Sequence, residues 1–455
     1  MFARERNEAF ALARLAAPLA AAHAGLQLMG VVDAAVVGRL GATQLGAIGI
    51  ANALFFFFAI LGTGIVMGVD PLTAQALGAG NLLLARRMMW QGVWLASLLG
   101  ILLSLPMFVS PALLPRIGVE PAVTVAAASY LGIRTLSLLP MLVYFVIRSY
   151  LQARLLMRPI VLSIVVANVF NLVADVLLVH GGTVLPAWCG PLRSIPAYGI
   201  AGAAVASVIA TLVQVAIVAD GVRRIGATFD EPHRALVSGE FGKAFRVGLP
   251  TGLHMTAEVG IFALVGLVAG TLGEIDLAAH QIALTLAAMS FTVVVGIGVA
   301  GSVRVGRAIG ARNSGEVRLA GLVAFAAGAL FMLGAASLFW LFPEVLASLF
   351  TNDPRIIALS GPLLAVAAFF QISDGIQGVG AGVLRGAGDT RFTFVANLVG
   401  HWLIGLPTAL YLAFRLEMGI VGLWWGLCAG LTAVAALLFV RFIRLSSVEI
   451  RPLID

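Results

Sequence analysis

Four acidic residues lie inside long apolar segments, whereas the other acidic residues fall in polar stretches. The four are Asp33, Asp175, Glu258 and Asp374. A carboxylate in hydrocarbon costs about 2.5–3.5 kcal/mol on insertion scales, so such residues usually serve a function. There a carboxylate can bind a cation, exchange a proton or contact a cationic substrate. The structural alternative is a hydrogen bond between helices or a pairing with a buried arginine.

The depths of these carboxylates divide them into two pairs. Asp33 and Asp175 lie nearly equally far along the chain from the nearest arginine at the basic end of their own segments. At about 1.5 Å per helical residue, their depths agree within about 3 Å, in the outer part of a membrane. Glu258 and Asp374 are also matched with each other, but they lie nearer to their arginines and so closer to mid-depth. The spacing predicts two different acidic sites, one in each half of the chain.

Amide and hydroxyl side chains accompany the first pair. Asn171 precedes Asp175 by one helical turn and shares its helix face, and Asn168 precedes Asn171 by nearly another turn. Ser207, in the next segment, adds a hydroxyl. An amide beside a carboxylate can hold its proton or complete an oxygen shell for sodium, and it can also simply bridge two helices. Asp33, Asn168, Asn171, Asp175 and Ser207 are therefore candidates for a cation- or proton-coupling site.

The second pair predicts a site for a cation or a substrate. Glu258 and Asp374 share one layer, where a sodium ion or one shared proton would neutralise two like charges. We favour Na+, with Glu258 and Asp374 as its ligands, because an acidic pair resembles a small oxygen cage. His280 and Gln281 begin the eighth apolar segment and are further candidates. A histidine there can titrate, or it can cap or bridge helices.

The composition excludes a water-soluble body. The chain has 455 residues, of which 61% are hydrophobic and 11% charged, against about 25% charged in soluble domains. Its net charge of +7 comes from basic residues in short gaps between apolar segments, so we expect no nucleic-acid partner. The sequence shows no nucleotide-binding loop, nucleophile elbow or metal-ligand cluster. We therefore expect no enzymatic activity and no cofactor.

Twelve apolar segments are long enough to cross a bilayer, and lipid forces each of them to be helical. They cover residues 11–37, 45–69, 88–109, 122–146, 157–180, 197–219, 246–270, 278–303, 318–341, 356–383, 392–414 and 419–441. The predicted fold class is an all-α integral membrane protein with twelve transmembrane helices in the lipid bilayer.

Basic residues are unequally divided between the two sides of the membrane. Most of the arginines, together with the single lysine, fall in one set of alternate loops and tails, and only five arginines fall in the other set. One more, Arg134, lies inside the fourth segment. The positive-inside rule places the richer set, with both termini, in the cytoplasm. We expect a multi-pass protein of the cell inner membrane.

The two halves of the chain align without a gap at one fixed offset. The aligned pairs include Pro18 with Pro250 and Gly78 with Gly310. Six segments per half give both halves the same orientation, which is a parallel repeat about an axis along the membrane normal. We predict a six-helix lobe at residues 1–219, a cytoplasmic linker at 220–245 and a second six-helix lobe at 246–455.

Several motifs, spread over nearly the whole chain, resemble those of the multidrug and toxic compound extrusion (MATE) family. In the first half they are Val32-Asp33 followed by Gly38-Arg39-Leu40-Gly41, then Asn171-x-x-x-Asp175, and Gly199-Ile-Ala-Gly202. In the second half they are Ala279-His280-Gln281-Ile282, Arg307-x-Ile309-Gly310-Ala311, and Asp374-Gly-x-Gln377 with Leu384-Arg385-Gly386. The presence of both Glu258 and Asp374 in the second half resembles the pattern of the NorM-type subgroup.

The resemblance implies a fold, an activity and roles for these residues. It implies two lobes around a central cavity, and efflux of cationic or amphiphilic drugs in exchange for Na+ or H+. Asp33, Asn171 and Asp175 match the coupling positions of the first lobe, and Glu258 and Asp374 match the cation site of the second. We expect the protein to act as a monomer.

The alternative function is a lipid-linked oligosaccharide flippase of a related fold. Such flippases usually carry additional helices or basic residues that face the cavity. In this sequence the residues predicted at the cavity are acidic, and Arg134 is the one arginine inside a segment. We therefore favour the drug antiporter.

Overall fold

The computed structural model describes residues 2–225 and 234–455, and in these ranges the chain is helical with short connections and without β-strands. The α-helices are α1 (Phe2–Gly38), α2 (Ala42–Val66), α3 (Val69–Gly78), α4 (Leu82–Val109), α5 (Pro121–Arg134), α6 (Leu138–Ala153), α7 (Arg158–His180), α8 (Ile200–Arg224), α9 (Ser238–Leu272), α10 (Glu274–Gly310), α11 (Ser314–Leu341), α12 (Pro343–Ser348), α13 (Pro354–Ala387), α14 (Thr390–Asn397), α15 (Leu406–Leu410) and α16 (Gly419–Leu445). Shorter 3-10 turns lie at Ser110–Ile117, Thr135–Ser137, Gly182–Val184 and Ala187–Ser194, and π-helical turns at Leu398–Gly405 and Tyr411–Arg415.

Twelve helical segments in the described residues are long and apolar enough to cross a membrane, which confirms the predicted fold class and spans. Most of them extend past the predicted boundaries. For example, α1 begins at Phe2, well before the first apolar segment, and α10 runs for 37 residues. Hydropathy marks only the apolar part of a helix, whereas backbone hydrogen bonds continue through the charged turns beyond it.

Some spans are built from more than one helical element. The second span joins α2 to α3 across Met67 and Gly68, and the fourth joins α5 to α6 across the 3-10 turn at Thr135–Ser137. The eleventh alternates α14 and α15 with the two π-helical turns. Close packing requires a glycine at position 68, because any side chain at Gly68 would clash with the backbone of Ala244 and Gly248.

The chain forms two compact units. Unit 1 contains Met1–His23, Asp70–Leu82 and Leu249–Asp455, and unit 2 contains Ala24–Val69 and Leu83–Gly248. The first turns of α1 therefore belong to unit 1 and its remainder to unit 2, whereas α9 is divided the opposite way. The two halves of the sequence thus exchange the first turns of their first helices.

The two lobes predicted from the sequence are defined by residue number, and the structure does not test them as separate bodies. They divide the molecule at residues 1–219 and 246–455, whereas the boundaries of the compact units fall inside helices. Part of the predicted linker at 220–245, residues 226–233, lies outside the described residues.

Inside unit 1, α3 and the end of α10 approach each other backbone to backbone. A side chain added at Gly78 would clash with the backbone of Arg307, and one added at Gly310 would clash with the backbone of Gln75. Gly78 and Gly310 are repeat partners in the alignment of the two halves, and so are Gln75 and Arg307. The two contacts are therefore exchanged copies of one another under the alignment of the two halves.

Each unit has one helix at the centre of its packing. In unit 2, α8 packs against α5, α6 and α7; in unit 1, α13 packs against α10, α11 and α16. Small residues permit this close approach. A side chain at Gly202 of α8 would clash with the backbone of Leu178, and one at Gly382 of α13 would clash with that of Gly298. These tight contacts position the helices that carry the polar residues described below.

Candidate functional site

Asp33 in unit 2 is surrounded by donors from three other helices. Ser207 Oγ on α8 donates to Asp33 Oδ2 at 2.7 Å, and Asn171 Nδ2 on α7 donates to Oδ1 at 3.1 Å. The hydroxyl of Tyr130 on α5 lies 3.4 Å from Oδ2. Asp33 is 1% exposed, so these donors replace water around a buried carboxylate. The structure brings together three predicted residues, Asp33, Asn171 and Ser207.

Asp175 on α7 completes the cluster in a different way. It is fully buried, and neither of its carboxylate oxygens accepts a well-formed hydrogen bond from a donor in the described chain. Its carboxyl group lies near the side chains of Asp33 and Asn171. Two buried carboxylates close together repel each other unless they share a proton or a cation. The pair can therefore take up one positive charge.

Tyr130 and Arg134 extend this cluster, and the sequence analysis did not select Tyr130. Its hydroxyl lies 3.2 Å from Asn52 Oδ1 as well as near Asp33, so its one proton serves one acceptor at a time. Arg134 stacks on the ring of Phe55, 4.5 Å from the ring centroid, and its charge acts on Asp175. The sequence signal that could have indicated Tyr130 is its one-turn spacing from Arg134, the single arginine inside an apolar segment.

Asn168, which was also predicted for this site, makes a local contact instead. Its Nδ2 donates to the carbonyl oxygen of Ile164 at 2.9 Å, and its buried Oδ1 has no partner among the described residues. A Cβ at Gly25 of α1 would lie 3.6 Å from Asn168 Nδ2. Asn168 thus lies beside α1, about one turn from Asn171.

The second acidic cluster lies in unit 1 and centres on Glu258. Both of its carboxylate oxygens have a nitrogen neighbour: His254 Nε2 lies 3.2 Å from Oε2, and Gln377 Nε2 donates to Oε1 at 3.2 Å. Asp374, on α13 with Gln377, is buried and interacts electrostatically with Glu258. The structure therefore brings the two predicted acids Glu258 and Asp374 close together.

Two histidines that the sequence analysis did not assign to a site also belong to this cluster. His254 precedes Glu258 by one turn of α9, a spacing that could have indicated the contact. His401, on the π-helical turn Leu398–Gly405, interacts electrostatically with Glu258 and His254. Its ring nitrogens are buried without partners in the described chain. No sequence pattern marks this contact, because it depends on how α9 and the π-helical turn meet.

His280 and Gln281 lie elsewhere in the structure. His280 Nδ1 accepts a hydrogen bond from Trp424 Nε1 at 3.2 Å, in an apolar core between α10 and α16. Gln281 is exposed. The helix-bridging alternative describes His280 better than membership of the Glu258 cluster, and a transport role for either residue remains a prediction.

A sodium ion at Glu258 and Asp374 would need further oxygen ligands. Gln377 Oε1 is buried without a partner in the described chain and lies on the side chain that already touches Glu258. No group of three or more His, Cys, Asp and Glu side chains in the described residues is arranged to hold a metal ion. Glu258, Asp374 and Gln377 are the residues that fit a hard cation, which prefers oxygen ligands.

Comparison with known proteins identifies the family. The family model MatE matches this chain twice, at residues 18–177 and 250–411. The chain belongs to the MatE family. The two matches begin at Pro18 and Pro250, which are repeat partners in the alignment of the two halves, so the family itself carries the internal repeat seen in the sequence.

Several relatives of this MATE protein have names of the predicted subgroup. The probable multidrug resistance protein NorM of Rhizobium meliloti (strain 1021) is 33% identical over 95% of this chain and 92% of its own length. The multidrug resistance protein NorM of Burkholderia vietnamiensis is 34% identical over 97% of this chain and 95% of its own length. These relatives confirm the NorM-type assignment.

Solved MATE structures share the fold. The crystal structure of the eukaryotic MATE transporter AtDTX14 superposes with a TM-score of 0.84 at 23% identity, covering 96% of each chain. The crystal structure of MATE in the straight conformation gives a TM-score of 0.86 at 20% identity, over 97% of this chain and 96% of that one. At these identities the likeness establishes the all-helical, twelve-span architecture.

Proposed function

We propose that this MATE protein is a secondary multidrug exporter that exchanges cationic or amphiphilic drugs for Na+ or H+. It acts in the cell inner membrane as a monomer, with both termini in the cytoplasm. The observation that carries the proposal is the buried carboxylate of Asp33, ringed by Tyr130, Asn171 and Ser207 and lying near buried Asp175 inside a membrane-spanning bundle.

The Asp33–Asp175 pair makes the site responsive to charge. With a proton or cation bound, the pair is neutralised, and without one its two carboxylates repel each other. Ser207 and Asn171 donate to Asp33, whereas neither oxygen of Asp175 has a well-formed donor in the described chain, so Asp175 is the carboxylate with the less compensated charge. Binding and release of one positive charge can thus shift the packing of α1 against α7, which is the coupling that an antiporter needs.

The Glu258–Asp374 cluster supplies a second site at which the coupling ion and the drug compete. Donors already engage both oxygens of Glu258, so Asp374 and Gln377 Oε1 offer the oxygens that remain. A cation that enters this layer neutralises the pair and weakens the binding of a cationic drug. This coupling is reciprocal, so the drug weakens cation binding as well.

The names of the relatives support drugs as the substrate class. Relatives called multidrug resistance protein NorM align along nearly the whole of this chain. The acidic clusters described above suit positively charged substrates. The anionic lipid-linked substrate of a flippase would need basic partners at these positions.

Transport by purified protein in proteoliposomes tests the proposal. We expect accumulation of a fluorescent cationic dye when a sodium gradient or a pH gradient is imposed, each tested separately. The Asp33→Asn variant should lose this uptake, and Glu344→Gln, which removes an acid near the start of α12, outside both acidic clusters, should retain it. Absence of uptake by the wild-type protein in both gradients would contradict the proposal.

A further inference from the structure

One face of α6 carries polar side chains that the acidic sites do not use. Tyr144, Arg148 and Gln152 follow each other at one-turn spacing and so share that face. All three are buried, with exposed fractions of 0%, 3% and 4%. A buried polar row in a membrane helix faces the bundle interior and commonly marks a route for ions or protons.

The neighbouring helix α8 presents a matching row. Ser207, Thr211 and Gln214 are buried on one face of α8, which packs against α6. The row begins at the hydroxyl that donates to Asp33 and runs for about 10 Å along the helix axis toward the cytoplasmic end.

Helix α7 adds a hydroxyl on the same side. Ser163 is fully buried, about two turns before Asn171, and its hydroxyl lies beside that of Tyr144. The hydroxyl of Tyr144 also lies beside the guanidinium of Arg148. The row on α6, the lower part of the row on α8 and this serine form one set, here called the polar track. Its members are Tyr144, Arg148, Gln152, Ser163, Thr211 and Gln214.

Several polar atoms in and beside the track lack a partner in the described part of the chain. They are the Tyr144 hydroxyl, Gln152 Nε2, Gln214 Nε2 and the hydroxyl of neighbouring Tyr150. Each such buried group lowers the stability of the fold by about 1–3 kcal/mol if neither protein nor water supplies a hydrogen-bond partner. A buried water typically makes about three hydrogen bonds to groups of this kind. Unpaired polar atoms on the packed helices α6 and α8 therefore indicate a site for water.

The two ends of the track lie at places with different chemistry. At the upper end, Ser207 and Asn171 both donate to Asp33. At the lower end, Gln152 comes just before Arg154, in the basic loop between α6 and α7. The stretch of α6 from Tyr144 to Gln152 adds about 12 Å along the helix axis. The track therefore leads from the acid pair through the inner half of the membrane.

We propose that the polar track binds a chain of water molecules and carries protons between the Asp33–Asp175 pair and the cytoplasm. This inference rests on the proposed function of that acid pair. A proton leaves the carboxyl group for the nearest water, each water accepts one proton and passes one on, and one proton is released beyond Gln152. The carboxylate is left charged and the track unchanged.

The charged and titratable groups around the track define what can move along it. Tyr130 and Arg134 of α5 face the acid pair at the upper end. Tyr144 and Arg148 of α6 line the lower part. The fixed positive charge of Arg148 disfavours entry of sodium or a cationic drug from the cytoplasm, and it raises the barrier for an excess proton as well.

Two conservative variants test the relay. Tyr144→Phe and Gln214→Met each replace a polar group that has no well-formed hydrogen bond with an apolar one of similar volume, so both should fold. In proteoliposomes that contain a pH dye, we expect drug-evoked proton release to slow by about tenfold or more, with equilibrium drug binding unchanged. Tyr411→Phe, at an exposed position, is the matched control and should keep the wild-type rate.

Hydroxyl-radical footprinting in isotope-labelled water supplies a readout that does not depend on transport. We expect labelling of Tyr144 despite its burial, and none of Phe442, which is equally buried against the ring of Phe325. An unlabelled Tyr144, wild-type proton release in both variants, or wild-type export on a sodium gradient without proton release would overturn the inference. If the wild-type protein exports nothing, the proposed function fails, and footprinting alone decides whether the track holds water.

Discussion

Ser207 Oγ donates a hydrogen bond of 2.7 Å to Asp33 Oδ2, which ties α8 to α1 in the interior of unit 2. A hydrogen bond to a buried carboxylate is worth about 1.5–3 kcal/mol. Loss of this donor therefore removes one of the bonds that fix the position of Asp33.

Ser207→Ala should weaken ion-coupled export, because Asp33 loses its shortest hydrogen-bond donor and is held less firmly in the cluster. Ser207→Thr should retain export, because it keeps the hydroxyl. The measurement is the rate of dye export as a function of pH at matched protein levels. Equal pH profiles for the wild-type protein and Ser207→Ala would show that this bond has no part in coupling.

Asp33→Asn and Asp175→Asn should each abolish most drug resistance without removing the protein from the membrane. Each substitution leaves one carboxyl group and one amide in place of the carboxyl pair, so the site no longer alternates between repulsion and neutralisation. Minimum inhibitory concentrations, with membrane levels checked by immunoblot, measure the effect. Glu344→Gln is the control for loss of an acid outside the clusters. Near-normal resistance in both variants would make the pair structural.

Glu258→Gln and Asp374→Asn should each reduce drug-stimulated movement of radioactive sodium, because each removes a negative oxygen ligand from one shared layer. A parallel assay with a pH gradient and no sodium separates the two coupling ions. Unchanged sodium movement in both variants, or export that responds to pH alone, would refute the sodium version of the second site. His254→Ala then tests whether the neighbour of Glu258 Oε2 affects that choice of ion.

Gly310→Ala should destabilise the protein by about 1–3 kcal/mol or more, because the added methyl group clashes with the backbone of Gln75 and no side-chain rotation can relieve the contact. Gly334→Ala on α11 is the matched control, since a Cβ there meets nothing within 4 Å. It should be neutral or stabilise the helix by about 0.5–1 kcal/mol. Melting temperatures in detergent compare the two variants. Equal destabilisation would contradict the close approach of α3 and α10.

Reporter fusions after Arg87 and Arg318 should both report the cytoplasm, because the basic loops lie inside. Cys189 gives an independent check from the other side. It is partly exposed in the segment between α7 and α8, whereas Cys428 is buried. A membrane-impermeant maleimide applied outside intact cells should therefore label the wild-type protein and not Cys189→Ser. An outside location for either reporter would refute the twelve-span orientation.

The sequence by itself determined the spans and the identity of the buried acids, and it predicts the orientation. Lipid cannot hydrogen bond to a backbone, so any apolar segment of sufficient length is a helix whatever its neighbours are. Charge in the loops determines which end is inside, and a carboxylate among apolar residues is costly enough to stand out. Depth along each helix was also readable, because the rise per residue is constant.

Only the tertiary structure decided which faces of these helices meet. Depth places Asp33 and Asp175 at one level, but their proximity depends on the rotation and packing of α1 and α7, which small residues on several helices determine together. Helix packing also brings Tyr130 and His401 into their clusters. It places His280 beside Trp424, away from the Glu258 cluster. The exchange of the first turns of α1 and α9 between the two units also follows from packing, because a hydropathy pattern contains no information about which distant helix a segment will touch.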